Sequence, residues 1–428
     1  MNKRTQSKNW LRPGGACLTI IAILLVAGSC RREIIHRNNN NDLSGFNQTV
    51  LVANSSIYSP GLVDTNLHNA WGLAWAPSGI AWVNSMAGHV SDLFTGDGAI
   101  VRAGVNIPSP NDTIGGLPTG IVFAGGAGFT LSNKAAPNFL FAGVDGVISG
   151  WNGAAGNNAL RIGRDSTGKS SYTGLALTTW QGSHLLYAAN FGEDRIDVWD
   201  TLFHKKNIAF RDALIPAGFS PFNIQAIGSW LFVTYAKVGP DGRDQAGAGL
   251  GFVDVFQPNG VLVTRFAARG TLNAPWGVVE TSANFLQDND MTTVTDNGRG
   301  GGSGNDGKGS PGGPGNGSNG DNRGNGNGGN GDNSGPGNNN DNNNDNDRND
   351  DKGPFILVGN FGDGHINVFG LDGSYRGQLQ SHNRAIVING LWALSFAPST
   401  STIDQNRLYF TAGPNKEADG IFGYLLKQ

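Results

Sequence analysis

Four asparagines, Asn69, Asn190, Asn223 and Asn360, together with the carboxylate of Glu417, make an oxygen-rich set of the kind that holds a hard divalent cation. Calcium is the cofactor such a set would take, and a cation so held polarises a carbonyl or activates water, the chemistry of metal-dependent hydrolysis. The same amides have a second explanation. Asn tolerates the left-handed turn conformation and bonds nearby backbone, so these residues could equally be shaping turns. A second group lies on two loops: Lys237, Arg243 and Asp244 between Ala236 and Leu250, and Lys416 and Glu417 between Gly413 and Asp419. Both loops are longer and more charged than a hairpin needs. With Asn223 they are candidates for binding a glycan, a peptide or a partner protein without catalysis. The two readings, recognition module and metal-dependent hydrolase, both stay open on these residues.

Other chemistries find little support. The histidines are scattered, with neither His-x-His nor His-Glu-x-x-His spacing, so a zinc site is not expected. No Gly-x-Ser-x-Gly elbow joins a strand to a helix. Gly302, Gly307 and Lys308 have phosphate-loop spacing, but Gly309 stands where Ser or Thr belongs and no strand or helix flanks it. The formal charge of −3 carries no clustered basic face, which argues against nucleic acid as a partner.

What could position such loops is a repeat. Leu186–Asp200 reads LYAANFGEDRIDVWD, and Ile356–Gly370 reads ILVGNFGDGHINVFG. The unit recurs six times. First strands begin at or near Trp71, Gly120, Gly174, Asn223, Trp276 and Trp392, each followed by a second apolar strand. Third strands alternate with period two: His89–Phe94, Val147–Trp151, Arg195–Trp199, Gly251–Phe256, His365–Phe369 and Gly420–Tyr424. Turn pairs Asp97-Gly98, Asn259-Gly260 and Asp372-Gly373 lead to weaker fourth strands. The spacing is 49 to 54 residues except between Trp276 and Trp392, where 116 separate them and a tract of roughly 62 is almost all Asn, Gly, Asp and Ser. Six four-stranded units at that interval predict an all-β, six-bladed propeller. The last unit lacks a fourth strand, and Thr49–Val52 is expected to supply it and close the ring. Trp71, Trp276 and Trp392, on inner strands, are expected to fill the wedges between blades.

The expected organisation is therefore a leader over 1–29, a tether over 30–45 and the propeller over 46–428, with an insertion at 288–352 inside blade five. That insertion holds eleven Asp against five Lys and Arg and almost nothing apolar, a composition expected to stay disordered. At the start, Lys3, Arg4, Lys8 and Arg12 precede an apolar run from Ala16 to Gly28. Spanning a bilayer as a helix takes ~20 apolar residues, so this shorter run reads as a signal peptide. Small residues lead into Cys30, which predicts lipidation there, export and anchoring to a membrane of the cell envelope as a monomer.

The stretches Asn69–Ala74, Asp145–Asn152, Ser220–Gln225, Val233–Lys237, Gly359–Gly364 and Tyr409–Pro414 resemble an uncharacterised family of exported bacterial propeller proteins, similar in style to NHL and YVTN repeats. The resemblance runs from about Asn47 to Tyr424, broken only by the insertion. It implies the propeller and brings no activity with it.

Overall fold

The computed structural model describes residues 43–283, 285–286 and 353–428. The leader, Cys30, the tether up to residue 42, residue 284 and the tract from 287 to 352 lie outside the described residues. The end of the expected tether, 43–45, is described and belongs to the fold: Leu43 is buried in a core cluster and the Gly45 carbonyl accepts from Gln428 N.

Six antiparallel sheets of four principal strands form the six blades. The inner strands are Ala70–Trp75, Pro118–Phe123, Tyr172–Trp180, Phe219–Ile227, Pro275–Glu280 and Leu391–Ser395. Blade six contributes three strands of its own and takes its fourth from the other end of the chain. Phe46–Ala53 pairs antiparallel with Ile421–Lys427, from Phe46 opposite Lys427 to Ala53 opposite Ile421. This closing strand is longer than the sequence suggested, and Phe46, Val52 and Ala53 are fully buried in it.

The period-two strands place one apolar face against each neighbouring blade. The result is six clusters of buried apolar side chains, one at each junction between successive blades, among the described residues. In the junction of blades five and six, Phe285 packs 5.3 Å from Phe46 and 5.1 Å from Phe396, so the chain is still anchored in the core just before residue 287. The Asp97-Gly98, Asn259-Gly260 and Asp372-Gly373 turns carry positive φ at Gly alone. Each glycine donates to the residue three before it, and that residue's own N–H bonds one position beyond the glycine. This is a type I turn ending in a glycine bulge, where one left-handed residue suffices.

One position interrupts the apolar pattern at the middle of every third strand. Asp92, Ser149, Asp197, Asp254, Asn367 and Gly423 sit opposite Val83, Phe141, Ala188, Val233, Val358 and Phe410 of the second strands. Asp197 is met by Arg195 at 2.7 Å and Lys205 at 2.8 Å, and Asp254 by Arg265. Asn367 accepts from Gln378 at 3.1 Å. Asp92 has no such partner: its Oδ2 is buried and unbonded.

Candidate functional site

Every inner strand is joined to its second strand with a register shift near its start. The bulged residues crowd the axis. A Cβ on Gly72 would lie 2.1 Å from the carbonyl oxygen of Thr119, and one on Gly174 would lie 2.1 Å from Asn223 Oδ1. With glycine at these points the inner strands close in until the middle of the channel keeps only about 30 Å³, lined by residues such as Gly72, Gly120, Asn223 and Gly277. At this level the space is of the order of a single water molecule.

Above this constriction the channel is plugged by aromatic rings. Trp71 stacks on Trp392 at 3.6 Å, Phe361 stacks on the same indole at 3.9 Å, and Trp276 meets both tryptophans edge-on at 6.5 and 6.0 Å. Phe222 lies 5.8 Å from Trp392 and 5.3 Å from Phe191. These rings come from blades one, three, four, five and six, including blades that are not neighbours. The three tryptophans therefore meet across the axis, where the sequence reading put them in wedges between adjacent blades. Phe191 and Phe361 follow Asn190 and Asn360 in the repeated hairpin, a signal present in the sequence and not taken up there.

At one mouth, above the plug, is a cavity of about 260 Å³. Trp71, Phe191 and Phe222 form its aromatic floor, with Met86, Leu117 and Val144 around them, and Arg243 and Asp244 border it. Arg243 and Asp244 lie on a hairpin that folds back along blade four, with Asp244 opposite Val238 and Gln245 opposite Lys237. The hairpin is pinned at its tip: Arg243 Nη2 donates to Glu417 Oε1 of the blade-six turn. Glu417 Oε2 accepts from Asn69 Nδ2 at 2.8 Å, and Asn69 Oδ1 accepts from Trp392 Nε1 at 2.7 Å. A continuous chain of polar contacts thus runs from the plug to the strap. The turn that aims Glu417 is strained, because Asn415, Lys416 and Glu417 are three successive non-glycine residues with φ of 55°, 55° and 69°. Burial, reinforced by the charge of Glu417, pushes the Asp244 carboxyl up to about 6.

Of the residues singled out in the sequence, the structure brings Arg243, Asp244, Glu417 and Asn69 together at this mouth. Lys416 is exposed on the same turn as Glu417. Lys237 lies elsewhere, with Nζ 5.3 Å from the Phe219 ring centre and reaching the Ala217 carbonyl. Asn223 is in the constriction below the plug, donating to the Trp276 carbonyl at 2.8 Å. The other proposed calcium ligands are held by protein groups. Asn190 Nδ2 contacts Ser170, Glu193 and Asp197 within 3.1 Å, and its Oδ1 accepts from Ser171 N. Asn360 donates to Thr271 O and Asp363, and accepts from Asn273 N. These bonds fix turns, the conformational role left open by the sequence. No three His, Cys, Asp or Glu residues are grouped to hold a metal ion among the described residues.

No family model matches the chain. Two uncharacterised proteins of Acanthamoeba polyphaga mimivirus are similar over most of its length. One is 26% identical over 380 residues, covering 85% of this chain and 76% of its own. The other is 27% identical over 382 residues, covering 85% and 81%. These relatives are viral, where the resemblance seen in the sequence was to bacterial proteins. Among solved structures, a streptogramin B lyase matches at 10% identity and a TM-score of 0.44, covering 90% of this chain and 97% of its own. A gluconolactonase from Xanthomonas campestris matches at 12% identity and a TM-score of 0.42, covering 84% and 86%.

Proposed function

We propose that the protein is a recognition module that captures a protruding group of a glycan, peptide or partner protein in the strapped cavity at the channel mouth. The observation that carries the reading is the Arg243–Asp244 hairpin, pinned across the mouth over an aromatic floor. Propeller closure does not require that hairpin, and a concave apolar floor with a few polar groups at its rim is what a ligand site needs. The metal-dependent reading has less support, because the amide oxygens of Asn69, Asn190 and Asn360 already accept hydrogen bonds within the fold. A glycan array and a peptide library, each probed with the wild type and with Arg243→Ala/Asp244→Ala, test the proposal. Ligands retained by the wild type should be lost by the variant; undiminished retention would place recognition elsewhere.

Export and lipid anchoring at Cys30 belong to the same proposal and rest on the basic start, the short apolar run and the small residues before the cysteine. Cells labelled with palmitate should yield a labelled protein that Cys30→Ala releases from the membrane fraction. An unlabelled wild type, or a membrane-bound variant, would rule the anchor out.

A further inference from the structure

Within the blades, antiparallel pairing puts the turns from first to second strand and from third to fourth strand at the face opposite the mouth. On three adjacent blades these turns hold large apolar residues in solvent. Leu202 of blade three is 69% exposed, Val261 of blade four 51% and Leu371 of blade five 57%. Trp230 of blade four, 41% exposed, stands near Val261: Leu231, Phe256 and Leu262 pair in one row across the sheet, and Trp230 and Val261 each lie one residue beyond it. Folding gains nothing from leaving these side chains in water. The chain also enters the fold at this face. Phe46 begins the closing strand opposite Lys427, at the end away from the mouth, and Leu43 packs beside Gly377 of blade five. The twelve residues between Cys30 and Leu43 reach at most about 40 Å when fully extended.

We infer that this face of blades three to five rests on an uncharged lipid bilayer, with the mouth cavity pointing away from it, an inference that rests on the anchoring at Cys30 proposed above. Exposure alone does not choose the face, since Ile57, Ile114, Leu214 and Val387 are exposed around the mouth. The point of entry chooses it. A lipid on Cys30 draws the Leu43 end of the fold to the membrane and leaves the mouth on the far side. Tryptophan with aliphatic neighbours is the residue set that settles at the level of the headgroups. Charge adds no attraction, because Asp97, Asp200 and Asp372 balance Lys205, Lys206 and Arg376 on the turns of this face. The acidic tract 288–352 also departs from it, between Glu280 and Ile356, so anionic lipid opposes the contact. So small an apolar contact is weak alone and acts by orienting a protein that the anchor already holds at high local concentration.

The test uses phosphatidylcholine vesicles with and without brominated acyl chains, which quench tryptophan only at close range. The lipidated wild type, reconstituted in them, should show quenching of an emission component that Trp230→Phe lacks. Leu202→Ser/Leu371→Ser should remove most of that quenching at unchanged Tm, and Ile114→Ser/Leu214→Ser at the mouth should leave it intact. The unanchored chain, residues 30–428 with Cys30→Ser, should bind the same vesicles weakly, lose about tenfold with Leu202→Ser/Leu371→Ser, and bind less to phosphatidylglycerol. No quenching specific to Trp230, or quenching indifferent to Leu202→Ser/Leu371→Ser, overturns the inference while the anchor stands. Quenching lost on changing the mouth residues means that the wrong face was chosen. If the wild type carries no lipid, the anchoring reading fails by itself, and the unanchored chain decides the face: binding weakened by Leu202→Ser/Leu371→Ser upholds it, and no binding ends it.

Discussion

Arg243 of the blade-four hairpin and Glu417 of the blade-six turn, 174 residues apart in sequence, are joined by an ion pair across the channel mouth. The Arg243 side chain is 56% exposed, so water screens the pair and its contribution to global stability is small, of the order of 1 kcal/mol or less. Its effect is local, because it fastens the tip of the hairpin to the blade-six turn.

Arg243→Ala should therefore move Tm by no more than about 2 °C while speeding amide exchange across residues 239–245. Exchange unchanged from wild type would mean that the hairpin is held by its own strand pairing and that the pair is not a strap. Glu417→Ala should cost more than Arg243→Ala, since it also leaves the buried Nδ2 of Asn69 without its acceptor.

Asp92 gives a pH dependence. Burial, with the charge of Asp64 adding to it, raises its carboxyl from 3.8 to about 7. Between those values the unfolded chain releases the proton while the folded one keeps it, so stability falls as pH rises from about 4 to about 7 and then levels off. Asp92→Asn should raise Tm near pH 8 and change it little near pH 4. An equal effect at both pH values would show that no proton is involved.

Removing residues through Ala53 should destabilise the whole ring, because it takes away the fourth strand of blade six and exposes the edge of Ile421–Lys427. The expected result is a large fall in the urea midpoint or loss of a cooperative transition. A truncated protein that unfolds like the wild type would show that three strands are enough for blade six.

Replacing 288–352 with a short Gly-Ser linker should leave Tm unchanged or slightly raised, since each doubling of a flexible loop changes closure entropy by only about 0.6 kcal/mol. The boundary matters: Phe285 is 2% exposed and belongs to the core between blades five and six. Phe285→Ala should cost about 3–5 kcal/mol. Differential scanning calorimetry on both variants checks the contrast, and a large drop for the linker variant would mean that the tract is packed.

Much of the architecture was legible along the chain. Third strands such as Val147–Trp151, Arg195–Trp199 and Gly251–Phe256 lie where period-two alternation put them, and the repeat spacing counted the blades. Those signals are local: a strand with differently solvated faces shows its alternation within a few residues, and a repeated blade shows its period within one interval. Of the candidate residues named along the chain, Asn69, Arg243, Asp244 and Glu417 meet at the mouth, whereas Asn223 and Lys237 do not.

What those loops do to one another was not legible. Asn69 and Trp392 are 323 residues apart, and nothing in either neighbourhood says that the amide of one will accept from the indole of the other. The same holds for Trp71 and Trp276, which meet across the axis, and for Arg243 and Glu417, which meet over the mouth. Contacts between non-neighbouring blades depend on the ring closing and on how far the bulged inner strands approach the axis. Both are set by the packing of all six blades together, so the constriction, the plug and the strapped cavity above it belong to the tertiary structure alone.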